Sequence, residues 1–255
     1  MDSEKEIRQL QRRLTELAEK SSRQNIYTFT GFLGMAEQDV FCRMERELSF
    51  AHPVLFGGSK EAERAVARFG DPEEFGYEAE FPIVMLKIQP LVQKYADDLG
   101  HRDFLGALMN LGIESSTLGD ISVRDNCGYL FCLESIADFI AGELTRVRHT
   151  DVRCERADAA EIQMKKEKVR KNVTVSSERA DVVIAALYHL SRAESLALFR
   201  AQKVFVNGRM CENNSCFLKR EDAVSVRGKG KFFYDGADRE TKKGKLSVGV
   251  FVYQT

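Results

Sequence analysis

Between Ser177 and Phe232 the chain gathers ten basic side chains: Arg179, Arg192, Arg200, Lys203, Arg209, Lys219, Arg220, Arg227, Lys229 and Lys231. Their chemistry is phosphate neutralisation. Lysine and arginine on a rigid surface displace the counterions of a nucleic acid, so such binding weakens steeply with salt. Residues suited to bond-making are much scarcer. The four histidines are scattered. His101 and Asp103, beside Asp97 and Asp98, come nearest to an acid–base group, and they read as a polar loop and a helix start. No G-x-G-x-x-G turn is present for a dinucleotide or methyl donor. Cys127/Cys132 and Cys211/Cys216 are each five apart with no histidine pair, which reads as reduced thiols rather than metal ligands or a disulfide framework. Neither catalysis, nor a cofactor, nor a metal is expected.

The elements that position these charges are short. Ser177 can cap a first helix, in which Ala180, Val183, Ile184, Leu187 and Leu190 recur at helical spacing. Ser191 and Glu194 form a capping box for a second helix, with Leu196 and Phe199 on its apolar side. A strand follows at Val204–Val206. Asn207-Gly208 then signals a tight turn, because both central residues of such turns want positive φ. Ala223–Arg227 reads as a further strand ending in Gly228-Lys229-Gly230-Lys231. Leu246, Val248, Val250 and Val252 alternate with other residues as a last strand, preceded by Lys242, Lys243 and Lys245 in a hairpin loop.

The chain has 255 residues, 44% of them hydrophobic, enough for two or three small cored domains. Its net charge of −1 conceals a split. Residues 1–161 hold 19 Lys and Arg against 29 Asp and Glu; residues 162–255 hold 19 against 10. A basic end faces nucleic acid, and an acidic end repels it. The start, MDSEKEIRQL, has no apolar signal core and no apolar run approaches a membrane span, so a cytoplasmic location is expected.

Residues 1–75 read as a mainly helical part. Ile7, Leu10, Leu14 and Leu17 mark one helix, Ala36–Leu48 another, and Lys60–Phe69 a further segment after Gly57-Gly58-Ser59. Those glycines read as a turn, since the P-loop pattern is missing. Residues 76–160 read as strand Phe81–Ile88, helix Asp103–Leu111, strands Ile121–Val123 and Gly128–Leu133, helix Ser135–Val147 and strand Asp151–Cys154. This is the β-α-β-β-α-β order of ferredoxin-like, RNA-recognition-type domains. Tyr129 and Phe131 share one strand face, open to either base stacking or packing. Residues 161–175 form a basic linker, in which Lys165, Lys166, Lys168, Arg170 and Lys171 could touch phosphate; the alternative is a solvated linker or an exposed strand edge. The fold class is therefore α+β, with 176–255 as a small αα-plus-β-hairpin domain.

Arg179-Ala180-Asp181, Ser191-Arg192, Val206-Asn207-Gly208 and Val226-Arg227-Gly228, in this order, resemble the RNA-binding domain first described in ribosomal protein S-four. Two positions depart from that pattern: Gln202 and Glu221 stand where the family has glycine. With Leu105-Gly106-Ala107-Leu108-Met109 and Gly119-Asp120-Ile121 in the middle part, nearly the whole chain resembles the bacterial YlmH family. The early segment departs, reading Gly31-Phe32-Leu33-Gly34 where the family often has Phe-Leu-Asp-Pro. The resemblance implies binding to rRNA of the large ribosomal subunit and to peptidyl-tRNA, alongside other quality-control factors, during ribosome-associated quality control. It places RNA contact at Arg179, Ser191, Arg192, Lys203, Asn207 and Arg209, flanked by Arg227, Lys229 and Lys231. Asp181 is expected to hold Arg179 or cap the backbone rather than touch RNA. The competing readings are an RNA-modifying enzyme, since S-four domains are appended to pseudouridine synthases and rRNA methyltransferases, and a protein–protein adaptor tethered to RNA.

Overall fold

The computed structural model describes residues 2–59, 62–158, 168–240 and 244–253. The chain divides into two compact units, residues 1–164 and 165–255.

The first unit opens with helix α1 (Asp2–Gln24), whose Leu14 and Ala18 are fully buried. They pack among Leu33, Phe41, Leu48 and Phe69. The partners come from α2 (Met35–Arg43), α3 (Glu45–Leu48) and a three-stranded antiparallel sheet of β1 (Thr28–Leu33), β2 (Val54–Phe56) and β3 (Ala65–Phe69), in the order β1-β3-β2. Helices make up most of this part, as expected, and it also holds a sheet that was not expected. The segment expected as a helix up to Phe69 is the central strand, and Lys60 itself lies outside the described residues. Every residue of β3 is buried, so no period-two pattern marks it as a strand. Arg68 within it is 4% exposed. Its guanidinium meets Glu78 at 3.0 Å and the carbonyl of Ala79 at 2.6 Å, between the rings of Tyr27 and Phe81. Asp71 caps the short α4 (Pro72–Phe75) by accepting the Glu73 N–H.

The middle of this unit runs β4 (Ile83–Pro90), α5 (His101–Asn110), β5 (Leu118–Arg124), β6 (Cys127–Leu133), α6 (Glu134–Glu143), β7 (Arg146–Val147) and β8 (Thr150–Ala157). Its antiparallel sheet has the order β5-β6-β4-β8-β7. The last helix stops short of its expected end at Val147. Arg146-Val147 instead begins a hairpin onto β8, turned by Arg148 at φ +55°. Asp125 and Asn126, both at positive φ, make the tight β5–β6 turn. Helices α5 and α6 cover one sheet face through Phe104, Leu108 and Ile140 against Leu86, Ile88 and Leu130.

The other face carries Met85 and Phe131, which pack against Phe32 and Val66 of the N-terminal sheet. Phe131 is therefore packing, not a surface for a base. The seam between the two sheets is tight. Gly58 lies against the Phe131 ring and Gly119 against the Phe32 ring. Asp120 accepts the N–H groups of Glu63 and Arg64 at 2.7 and 3.2 Å, and the Arg64 guanidinium reaches the carbonyls of Phe32, Ser115 and Leu118.

The second unit is an antiparallel six-stranded sheet, order β11-β10-β12-β13-β14-β9, with two helices packed on one face. Its elements are β9 (Lys168–Val175), α7 (Ala180–Leu187), α8 (Arg192–Arg200), β10 (Val204–Val206), β11 (Arg209–Met210), β12 (Ala223–Val226), β13 (Gly230–Glu240) and β14 (Leu246–Tyr253). Residues 168–175 are thus an edge strand and not linker. Val173 and Val175 pack on the core while the polar Asn172 and Thr174 alternate with them. Lys165, Lys166, Lys242 and Lys243 lie outside the described residues. No single described helix is long and apolar enough to cross a membrane.

Candidate nucleic-acid interface

Helix α7 is not capped by Ser177. Arg179 is its N-cap residue, and a loop does the capping: Cys216 and Asn214 carbonyls accept the Ala180 and Asp181 N–H groups at 2.8 and 3.3 Å. Arg179 grips Asp181 with Nε and Nη2 at 3.0 and 2.7 Å. That hydrogen-bonded pair raises the arginine's pKa above its ordinary value. Asp181 is buried, so its charge must be matched.

Helix α8 starts with the box that the sequence suggests. Ser191 Oγ accepts the Glu194 N–H at 3.2 Å, and the Glu194 carboxylate accepts the Ser191 N–H at 2.7 Å. The bond from the Ser191 N–H, reinforced by the hydroxyl and by the charge of Lys229, holds the Glu194 carboxyl below the usual carboxylate range. A Cβ on Gly230 would lie 3.9 Å from the Tyr188 hydroxyl, so the turn carrying Lys229 lies near the start of α8, where Arg192 is exposed as the first helical residue. Arg227 donates its N–H to the Lys203 carbonyl at 2.9 Å. One end of the sheet thus brings together Ser191, Arg192, Lys203, Arg227 and Lys229.

The remaining predicted residues lie elsewhere. Asn207 and Arg209 sit beyond the other end of β10, flanking Gly208 in a turn where Asn207 and Gly208 both have positive φ. The Asn207 amide is engaged within the protein: its nitrogen donates to Asp222 at 2.8 Å and its oxygen accepts the Ala223 N–H at 2.9 Å. Lys231 alternates with the buried Phe232, so it projects from the helix-free face, 5.5 Å from the Phe233 ring.

Sequence reasoning missed two features of this unit. On the helix-free face Lys168 lies 3.9 Å from the Phe233 ring, and Arg170 bridges Asp235 and Asp238 while lying flat over Gly249. Strand alternation in 168–175 could have revealed that face. The exposed Phe217 carried no sequence signal. Burial pushes Cys132, Cys154 and Cys211 up to about 12, far from a thiolate at neutral pH. Among the described residues no cluster of His, Cys, Asp and Glu could hold a metal ion.

A protein of Bacillus subtilis (strain 168) named "Ribosome-associated protein quality control protein P2" is 32% identical to this chain over 227 residues, covering 86% of the chain and 84% of the relative. A family model described as "Putative RNA-binding domain in YlmH" matches residues 77–161. The chain belongs to the YlmH family. Among solved structures, "Cell division protein ylmH from Streptococcus pneumoniae" aligns at 18% identity with a TM-score of 0.49, over 61% of this chain and 93% of that one.

The YlmH match falls in the first unit, whereas the basic end described above belongs to the second. There a cleft of about 510 Å³ between α5 and the α6–β7 turn is lined by Arg102, Arg146 and Arg148. Two of these arginines face carboxylates, Arg148 with Asp103 at 3.7 Å and Arg146 with Asp151 at 3.0 Å. Their charge is partly spent within the protein, whereas Arg192, Lys203 and Lys229 are exposed.

Proposed function

We propose that the protein is an RNA-binding factor that docks on the large ribosomal subunit. It contacts rRNA and peptidyl-tRNA there, alongside other factors of ribosome-associated quality control. The observation that carries this reading is the joint placement of Arg192, Lys203, Arg227 and Lys229 at one end of a rigid sheet, in a chain whose Bacillus subtilis relative bears a quality-control name. The capping box fixes the direction in which Arg192 leaves the helix. The main-chain bond between Arg227 and Lys203 fixes their spacing. A rigid cationic edge of this kind reads the shape and backbone of A-form RNA more than its sequence. The work is binding and not catalysis, and it belongs to the cytoplasm, where ribosomes are.

The test is co-sedimentation with large subunits carrying peptidyl-tRNA, beside empty subunits and whole ribosomes, for wild type and Arg192→Glu across a salt series. The expected result is preferential binding to the tRNA-carrying subunit, lost in the variant. Each phosphate contact removed should lower the slope of log affinity against log salt by about 0.7–0.9. Equal binding to every particle would reduce the reading to general rRNA affinity. No binding at low salt would refute it.

A further inference from the structure

Phe217 is 67% exposed, while the core of the same unit buries Phe199, Phe205 and Phe232. It lies in the loop that caps α7, and its surroundings are rigid. Leu218 donates its N–H to the Glu178 carbonyl at 3.0 Å, and Ala180 donates to the Cys216 carbonyl at 2.8 Å. Between those two bonds Arg179 and Phe217 form an isolated antiparallel bridge. They are the non-hydrogen-bonded pair of a short ladder, so their side chains leave on the same side, with Cα atoms about 4.5 Å apart. Phe50, Phe56 and Phe139 are also exposed, and Phe217 is more exposed than any of them.

Arg179 in turn is poorly suited to phosphate. Asp181 takes its Nε and Nη2 and offsets its charge. What remains is a planar guanidinium fixed by that pair, on a residue whose backbone is bridged to that of Phe217, within a unit rich in Lys and Arg. Planar cations and aromatic rings both stack on nucleobases.

We propose that Phe217 and Arg179 form a stacking platform for an unpaired nucleobase of the bound RNA, distinct from the phosphate-binding end at Arg192, Lys203 and Lys229. This rests on the RNA-binding reading above and deepens it. The occupant is single-stranded: a looped or splayed base offers its face, whereas a base within a duplex does not.

The probes are a labelled stem–loop RNA and a blunt duplex with the same stem, titrated with the full chain across a salt series. Wild type binds the stem–loop more tightly than the duplex. Phe217→Ala weakens stem–loop binding roughly 5- to 100-fold, leaves duplex binding unchanged, and leaves the salt slope unchanged because no charge is lost. Phe217→Tyr retains the preference, while Phe217→Leu loses it, separating stacking from simple apolar contact. An exposed side chain makes all three variants foldable, which circular dichroism checks. Stem–loop binding by Phe217→Ala equal to that of wild type overturns the platform alone. An equal loss on stem–loop and duplex also overturns it. Failure of the wild type to bind either RNA overturns the RNA-binding reading and the platform together.

Discussion

The Gly57-Gly58 pair sets up a sharp test of how the first unit is assembled. Gly58 has φ +89°, and a Cβ placed there would come within 2.4 Å of Cδ1 and 2.6 Å of Cε1 of the Phe131 ring. That ring is 6% exposed and packed among Phe32, Val66 and Met85, so it cannot swing aside cheaply. Gly58→Ala therefore carries two costs. The left-handed backbone costs about 1–2 kcal/mol for any residue with a Cβ, and forcing a methyl against a packed ring costs about 1–3 kcal/mol. Restricting the unfolded chain returns about 0.4–1 kcal/mol. The net expectation is a loss of roughly 2–4 kcal/mol. Gly76 supplies the control, since it has φ +75° and nothing within 4 Å of the same added carbon. Gly76→Ala should cost the backbone part alone, about 1 kcal/mol or less. The assay is urea unfolding of the full chain, with hydrogen exchange of β3 and β6 peptides reporting the first unit. Equal losses in the two variants would mean that Phe131 does not pack on Gly58. The seam between the N-terminal and middle sheets would then be wrong.

Two further outcomes follow from the second unit. Gln202 occupies the left-handed position after α8 at φ +54°, where its N–H bonds Phe199 and that of Lys203 bonds Leu198, the Schellman pattern. Gln202→Gly should stabilise this unit by about 0.5–1 kcal/mol, seen as slower exchange of α8 and β10 amides in urea, and unchanged or faster exchange would contradict it. The capping box predicts a pH dependence. Glu194 has its folded pKa depressed, chiefly by the Ser191 N–H, so its contribution is present above the unfolded glutamate value of about 4.3 and is lost as pH falls through the folded value. A carbon-detected titration should place the Glu194 midpoint below that of an ordinary glutamate, Ser191→Ala, which keeps the main-chain N–H and loses the hydroxyl, should move it only part of the way back up, and an ordinary wild-type midpoint would show that the box is not formed.

What was legible in the chain was local chemistry. Ser191 and Glu194 satisfy one another within four residues, and the turns at Asn207-Gly208 and Asp125-Asn126 are local backbone conformations, so spacing alone reveals them. Strand β3 was not legible, because covering both faces erases its periodicity. For β9 an exposed strand edge was one of the open readings, and its pairing to β14, distant in sequence, decides for it. The site divides in the same way. Charges at Arg192, Lys203 and Lys229 announce themselves, but spacing could not show that the amide of Asn207 is occupied by Asp222 and Ala223, or that Lys231 leaves by the other face.

The two departures from the S-four pattern carry the last step. Gln202 and Glu221 stand where glycine was expected, and both keep the positive φ that glycine would take, +54° and +73°. The backbone has not moved to suit the side chains. At Gln202 the two helix-closing bonds are made, and at Glu221 the N–H still reaches the Tyr234 carbonyl at 2.7 Å while Asp222 closes the turn onto Lys219. Each left-handed residue costs about 1–2 kcal/mol, so surrounding contacts must over-determine both turns. The first turn sets Lys203 beside Arg227, and the second carries Asp222, which holds the Asn207 turn. The frame that presents the basic end is thus stiff enough to impose its geometry on residues that disfavour it, as a surface reading the fixed shape of an RNA backbone requires.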